Sequence, residues 1–186
     1  MKKFILLALS LWVCLLLLIP QIGNAQGWER IYGNNKVFDV EAAPAANGEV
    51  FLLGEYLDLS PTGNVPFVHR IDTDGDIIRT YLDSLSASPD RYVMKIAGLS
   101  DGGAMITTGL SNTNGPLEPI MVQKISPTGQ LVWTLEIPPS KIGFVENMME
   151  TSNGNMALFG STWQDPIDIK IIGAIVVLDP NGNIVW

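Results

Sequence analysis

The stretch Ala174-Ile-Val-Val-Leu-Asp-Pro-Asn-Gly-Asn-Ile-Val-Trp186 decides the fold. It reads as an apolar strand, a tight turn on Asn181-Gly182, and the start of a second strand that reaches Trp. The same phrase stands earlier as Ile120-Met-Val-Gln-Lys-Ile-Ser-Pro-Thr-Gly-Gln-Leu-Val-Trp133. It stands a third time as Phe67-Val-His-Arg-Ile-Asp-Thr-Asp-Gly-Asp-Ile-Ile-Arg79, with Arg in the place of Trp. Turn glycines Gly75, Gly129 and Gly182 are spaced by 54 and 53 residues, as are Arg79, Trp133 and Trp186. Gly48, Gly102 and Gly154 keep nearly the same period, and so do Gly54, Gly109 and Gly160. A repeat of about 50 residues belongs to propeller blades and related arrays.

Outward from the turns, each unit offers four short β segments. The first unit has Phe38–Ala43, Glu49–Leu53, Val65–Ile71 and Asp76–Leu82. The second has Arg91–Ala97, Ala104–Thr108, Pro119–Ile125 and Gln130–Ile137. The third has Phe144–Glu150, Asn155–Phe159, Lys170–Leu178 and Asn183–Trp186. Length, β-branched content and punctuation by Gly, Pro, Asn and Asp support these assignments. Runs such as Ile175-Val-Val-Leu178 are apolar throughout, as in strands buried on both faces.

The connections are of two kinds. Asn47-Gly48, Asp101-Gly102 and Asn153-Gly154 close the first hairpin of each unit, and Asp74-Gly75, Thr128-Gly129 and Asn181-Gly182 close the second. Such turns need positive φ, which Gly, Asn and Asp accept at low cost. The connections 55–64, 110–118, 160–169, 83–90 and 138–143 are longer and differ between units. In an up-and-down sheet the two kinds fall at opposite ends of the strands. Function tends to sit on variable loops held by a rigid scaffold, so the long-loop edge is the expected binding face.

Residues 1–25 read as a secretory signal peptide: Lys2 and Lys3, an apolar run from Phe4 to Ile19, then Pro20 and Gly23-Asn24-Ala25, with cleavage expected before Gln26. The one cysteine, Cys14, lies inside that run, so the mature chain forms no disulfide and no thiolate metal site. Removing two lysines leaves 9 basic residues against 19 acidic ones, a mature charge of about −10. A chain this acidic is repelled by phosphate backbones and anionic membranes, which argues against nucleic acid or a membrane surface as partner. The expected localisation is secreted or cell-surface.

The domain expected over 26–186 is all-β and β-propeller-like, with three four-stranded antiparallel blades at about 38–82, 91–137 and 144–186. The phrase Val177-Leu178-Asp179-Pro180-Asn181-Gly182-Asn183-Ile184-Val185-Trp186 resembles the strand–turn–Trp closure of PQQ-like (quinoprotein-like) propeller repeats. The pattern Asn153-Gly154, Ala157-Leu-Phe-Gly160, Asp179, Gly182 and Trp186 is similar to blades of secreted bacterial repeat proteins, many of them cargo of the type IX secretion route. The resemblance speaks to architecture, since fold does not fix function. Two departures stand out: Arg79 for Trp, and Ser126 for the Asp seen at 72 and 179. Closed propellers have 4–8 blades, so the ring is expected to be incomplete here and the chain to be an N-terminal fragment. The segment 26–32, with Trp28, is expected to supply a closing strand.

Several residues invite a sharper reading. Gly98-Leu-Ser100-Asp-Gly102 matches the G-x-S-x-G nucleophile pattern, but it precedes a strand rather than a helix, so a turn is expected instead. His69 is the one histidine in the chain, which excludes a multi-His metal site. The Asp72-Thr73-Asp74-Gly75-Asp76 cluster departs from the EF-hand spacing; turn chemistry is its first reading and weak Ca²⁺ binding its second. Trp163, Gln164 and Asp165 lie on the 160–169 connection and are the candidate ligand-binding residues. There Trp163 could stack on a sugar ring beside an amide and a carboxylate, or pack over its blade. No catalytic residue, cofactor or metal is assigned. The expected function is a non-catalytic interaction scaffold whose variable loops take protein or glycan. The alternatives are a dedicated carbohydrate-binding module and, through the resemblance, part of a quinoprotein dehydrogenase.

Overall fold

The computed structural model describes residues 37–56, 65–82, 91–110, 118–163 and 170–186. The chain divides into units 1–30 and 31–186, and all described residues belong to the second. The signal peptide expected over 1–25, the segment 26–32 and most of the long connections lie outside the described residues.

Three antiparallel meander sheets follow one another along the chain, as the repeat predicts. Blade one has β1 (Val37–Pro44), β2 (Val50–Tyr56), β3 (Val65–Ile71) and β4 (Ile77–Leu82) in sequential order. Blade two has β5 (Arg91–Gly98), β6 (Ala104–Leu110), β7 (Ile120–Ile125) and β8 (Leu131–Ile137) in the same order. Blade three has β9 (Phe144–Glu150), β10 (Met156–Trp163) and β11 (Ile171–Leu178). The fourth strand expected at Asn183–Trp186 is reduced to one antiparallel bridge, Leu178 to Ile184, with Val177 N–H donating to the Trp186 carbonyl at 2.7 Å. The fold is therefore all-β and propeller-like, and the described strands form no closed ring.

The strands run past the glycines that the sequence suggested would end them. β2 continues beyond Gly54 to Tyr56, β6 beyond Gly109 to Leu110, and β10 beyond Gly160 to Trp163. These glycines serve close approach instead. A Cβ on Gly160 would sit 1.8 Å from the Phe144 carbonyl oxygen, where the β9–β10 register shifts, and one on Gly54 would sit 2.7 Å from the Phe67 ring. Gly inside a strand is the usual sign of a bulge or a near neighbour.

Five of the six tight turns share one hydrogen-bond pattern. At 72–76, for example, Gly75 N–H donates to the Asp72 carbonyl at 3.2 Å, and Asp72 N–H donates to the Asp76 carbonyl at 3.0 Å. The same pair recurs at 99–103, 126–130, 151–155 and 179–183. The first hairpin of blade one differs, with Asn47 and Gly48 both at positive φ, 62° and 77°. The Asp-to-Ser departure is now explained. Asp72 Oδ1 accepts the Asp76 N–H at 2.9 Å, Asp179 Oδ1 accepts the Asn183 N–H at 2.8 Å, and Ser126 Oγ accepts the Gln130 N–H at 3.0 Å. A hydroxyl serves the turn as a carboxylate does.

The apolar core sits at the seams between blades. Phe51, Leu53 and Val68 of blade one meet Val93, Ile96, Ala104 and Ile106 of blade two. Met94, Met105, Ile120 and Val122 of blade two meet Val145, Met148, Leu158 and Val176 of blade three. β5 serves both seams, with Val93 and Ile96 in one cluster and Met94 and Ala97 in the other. The first strands β1, β5 and β9 approach one another in turn, whereas the last strand β8 is largely exposed.

Each seam is latched at the turn edge by the same device. In the second, the Trp133 ring lies against Gly182, where a Cβ would fall 2.9 Å from Cδ2, and its Nε1–H donates to the Pro180 carbonyl at 3.1 Å. In the first, three residues share the work. The Arg70 and Arg79 guanidinium groups both donate to the Pro127 carbonyl, at 3.3 and 3.5 Å, and the Tyr81 ring lies against Gly129. The carbonyls of Pro127 and Pro180 occupy the same place in their units, so arginine donors replace that of the missing Trp while Tyr81 supplies the ring.

Gly129 and Gly154 provide a matched pair for a test, since both sit at φ near +82° and +81°. A Cβ on Gly129 would strike Tyr81 Cε1 at 1.7 Å, whereas on Gly154 the nearest atom is Pro180 Cγ at 3.7 Å. Backbone strain alone is about 1–2 kcal/mol, and overpacking adds about 1–3 kcal/mol. Urea denaturation should therefore show Gly129→Ala to be the more damaging, by about 2–5 kcal/mol in total against about 1–2 kcal/mol for Gly154→Ala. Equal losses would contradict the latch.

Candidate functional site

The meander order places both hairpin turns of each described blade at one end of its strands. The connections 57–64, 83–90, 111–117, 138–143 and 164–169 leave from the other end. Of these, 138–143 is described. It folds back on β10, with Ile142 fully buried, Gly143 N–H donating to the Ser161 carbonyl at 2.8 Å, and Thr162 Oγ1 donating to the Pro139 carbonyl.

Of the three candidate ligand residues, Gln164 and Asp165 lie outside the described residues. Trp163 does not sit on a loop. It is the last residue of β10 and pairs with Ile171, because the β10–β11 ladder continues for eight residue pairs. It stands at the loop edge, at the root of the 164–169 connection.

Ser100 is held in a turn, as expected. Its Oγ donates to Glu150 Oε1 at 2.9 Å, and its N–H donates to Glu150 Oε2 at 2.6 Å. This carboxylate joins blade two to blade three, and the turn leads from β5 into β6, not into the helix that follows a G-x-S-x-G nucleophile. In the 72–76 cluster, Asp72 Oδ1 accepts the N–H groups of Asp74 and Asp76 at 3.0 and 2.9 Å, which is turn chemistry. Among the described residues, no group of three or more His, Cys, Asp or Glu side chains is placed to hold a metal ion. Among them also, no helix is long and apolar enough to cross a membrane.

His69 is buried in β3 within a polar and aromatic cluster. Its Nδ1 lies 2.9 Å from Thr80 Oγ1 and its Nε2 lies 3.2 Å from Tyr56 Oη. The Phe67 ring is 4.3 Å away, centroid to centroid. Burial lowers the His69 pKa below its ordinary 6.5. Nearby, the buried Glu55 accepts the Val93 N–H across the first seam. Lys95 pairs with Glu41 across the same seam.

One feature escaped sequence reading. A cavity of about 70 Å³ lies in the first seam, lined by Leu53, Phe67 and Val68 of blade one and by Ile106, Gln123 and Ile125 of blade two. Tyr81 and Gln123 also line it, and both are buried, at 9 % and 2 % exposure. Among the described residues, Tyr81 Oη and Gln123 Oε1 are buried polar atoms without a hydrogen-bond partner. The signal lay in the repeat itself. Gln123 aligns with His69 and with Val176, and Tyr81 aligns with Leu135, so the polar pair is peculiar to one seam.

No protein-family model matches the chain, and no curated protein matches it.

His69 makes stability depend on pH. As pH falls past 6.5, the unfolded chain takes up its proton first, while the buried ring resists. Stability is held above that value, declines below it, and levels once the lowered folded value is passed. Replacing the ring by the residue of the sister unit, His69→Gln, should flatten the denaturation midpoint between pH 7 and about pH 5. An unchanged pH slope in this variant would contradict the assignment.

Proposed function

We propose that the chain is a non-catalytic scaffold of the secreted or cell-surface kind, which takes protein or glycan partners on its loop edge. The observation that carries this reading is the division of labour between the two edges. Five near-identical turns, two of them covered by a ring from the preceding blade, stiffen one edge. Connections that differ in length and composition leave from the other. A rigid framework that carries variable loops suits recognition, because ordering costs are met by the framework rather than at binding. The basic start and apolar run of 1–25 support export, and the resemblance to secreted propeller repeats points the same way. The place of Ser100 on a strand-to-strand turn supports a non-catalytic role.

Within this reading, Trp163 at the root of the 164–169 connection suits an aromatic platform, flanked in sequence by Gln164 and Asp165. The test is to replace 57–64, 111–117 and 164–169, one at a time, by short Gly/Asn turns. Parent and variants are then assayed on a glycan array and a panel of purified extracellular proteins. The expected outcome is a partner whose binding falls at least tenfold on loss of one loop, with the melting temperature unchanged. Binding that survives all three replacements would overturn the loop-edge reading. Selective loss of glycan binding in Trp163→Ala would favour the carbohydrate-binding form over the protein-binding one.

A further inference from the structure

We propose that β11 is a dimerisation edge: it pairs antiparallel with β11 of a second copy of this chain, with Gly173 on the two-fold axis. This surface belongs to blade three and does not depend on the function proposed for the loop edge.

The direction of the free backbone groups follows from the bonds already made. β11 is paired with β10 along its whole length, from Ile171 to Leu178, with no shift in register. Its other edge is used at one end, where Val177 N–H donates to the Trp186 carbonyl and the Val177 carbonyl accepts the Val185 N–H, both at 2.7 Å. Both groups of Val177 therefore point away from β10. Alternation along the strand gives Ile175, Gly173 and Ile171 the same direction. In blades one and two the matching edge is taken by β4 and β8, so that Val122 stands opposite Leu135 and Ile120 opposite Ile137. Among the described residues, no strand takes it over 171–175.

An open edge is a template for pairing with another chain, and proteins blunt such edges with charge, proline or bulges. The other five edge strands follow this rule. β1 carries Glu41, β4 Arg79, β5 Lys95, β8 Glu136 and β9 Glu146, and each meets its inner neighbour through a register shift. β11, Ile171-Ile-Gly-Ala-Ile-Val-Val-Leu178, has no charged residue, no proline and no shift. Gly173 is a second, separate observation. A Cβ there would meet nothing within 4 Å, and its φ is not positive. Its sister in blade two is the fully buried Ile120. Neither a turn nor a close neighbour in the chain accounts for this glycine. A glycine inside a strand also marks the place where another backbone approaches.

Symmetry fixes the register. On each copy the outer edge is open from Ile171 to Ile175 and is closed beyond that by Trp186. Two such stretches have equal length, and an isologous pair matches them end to end. Gly173 then faces Gly173 of the second copy, and Ile171 faces Ile175 at both ends. Each outward residue exchanges both of its backbone bonds with the residue opposite, and the β-branched pairs add packing on one face. Ile171, Ile175 and Trp186 are 60, 48 and 67 % exposed. At about 200 Å² for a large side chain they offer roughly 350 Å² of apolar surface per copy. That is less than half of the ~800 Å² per partner of a standard interface, which places the dimer in the weak, transient class.

The test is sedimentation equilibrium on the chain as exported, from about 1 μM to about 1 mM protein. A monomer–dimer equilibrium is expected, with amide exchange at Ile171, Gly173 and Ile175 slowed at the high end of the range. Gly173→Pro removes an N–H that points away from β10, so the β10 ladder survives. It should weaken dimerisation about tenfold or more, with the melting temperature of the dilute protein unchanged. Ile175→Lys should weaken it likewise by placing charge on the edge. Val132→Lys, at a residue 53 % exposed on β8, should leave it unchanged. A chain that stays monomeric throughout would overturn the proposal. So would a dimer that keeps its affinity in either β11 variant, or growth into open polymers, which an isologous edge does not form.

Discussion

An aromatic ring laid against a bare glycine turn joins each blade to the next, and the rest of the architecture follows from it. Trp133 covers Gly182, and Tyr81 covers Gly129. The hydrogen bonds that accompany these contacts, to Pro180 and Pro127, are each worth about 0.5–1.5 kcal/mol net. Ring burial adds more where it is complete, since full burial of a large side chain gains about 1.5–3 kcal/mol; Tyr81 is buried, and Trp133 is half-buried. Packing therefore dominates the latch, and the hydrogen bond sets its orientation. This ranking explains why the first seam tolerates Arg79. The donor alone would be a poor substitute for Trp, but Tyr81 restores the ring from two residues further along β4. The glycines at 129 and 182 are thus constrained twice, by positive φ and by the ring above them.

The same device fixes the direction in which the molecule can vary. At the turn edge, the glycine, the residue that caps the turn and the neighbouring ring must agree across two blades. At the opposite edge, the connections differ in length and composition. The 138–143 connection shows that a long link can still be tied down, through Ile142 and Thr162. Between the edges, the seams need only be filled, and here the two differ. One is closed by Leu135 and Val176. The other keeps Tyr81, Gln123 and a cavity, with Glu55 and the Lys95–Glu41 pair nearby.

Much of the architecture was legible in the sequence because turn chemistry is local. Asn-Gly, Asp-Gly and Thr-Gly mark positions where φ must be positive, and their period gave three blades before any contact was known. Strand ends were less legible. Gly54, Gly109 and Gly160 read as stops, yet they are near-neighbour contacts inside strands, because a glycine needed for space looks the same as one needed for a turn. That misreading is what put Trp163 on a loop. The role of Arg79 was also hidden, since its partner Pro127 lies 48 residues away. Of the candidate site, the sequence supplied the loop edge but not the polar pair in the first seam. Gln123 and Tyr81 lie in different units, and nothing local shows that both face one cavity.

The latch can be observed directly through the Trp133 indole. NMR of the folded chain should show its Nε1–H protected from exchange, with the Gly182 Hα protons shifted upfield by the ring. A freely exchanging indole, or Gly182 protons at random-coil positions, would contradict the account at its centre.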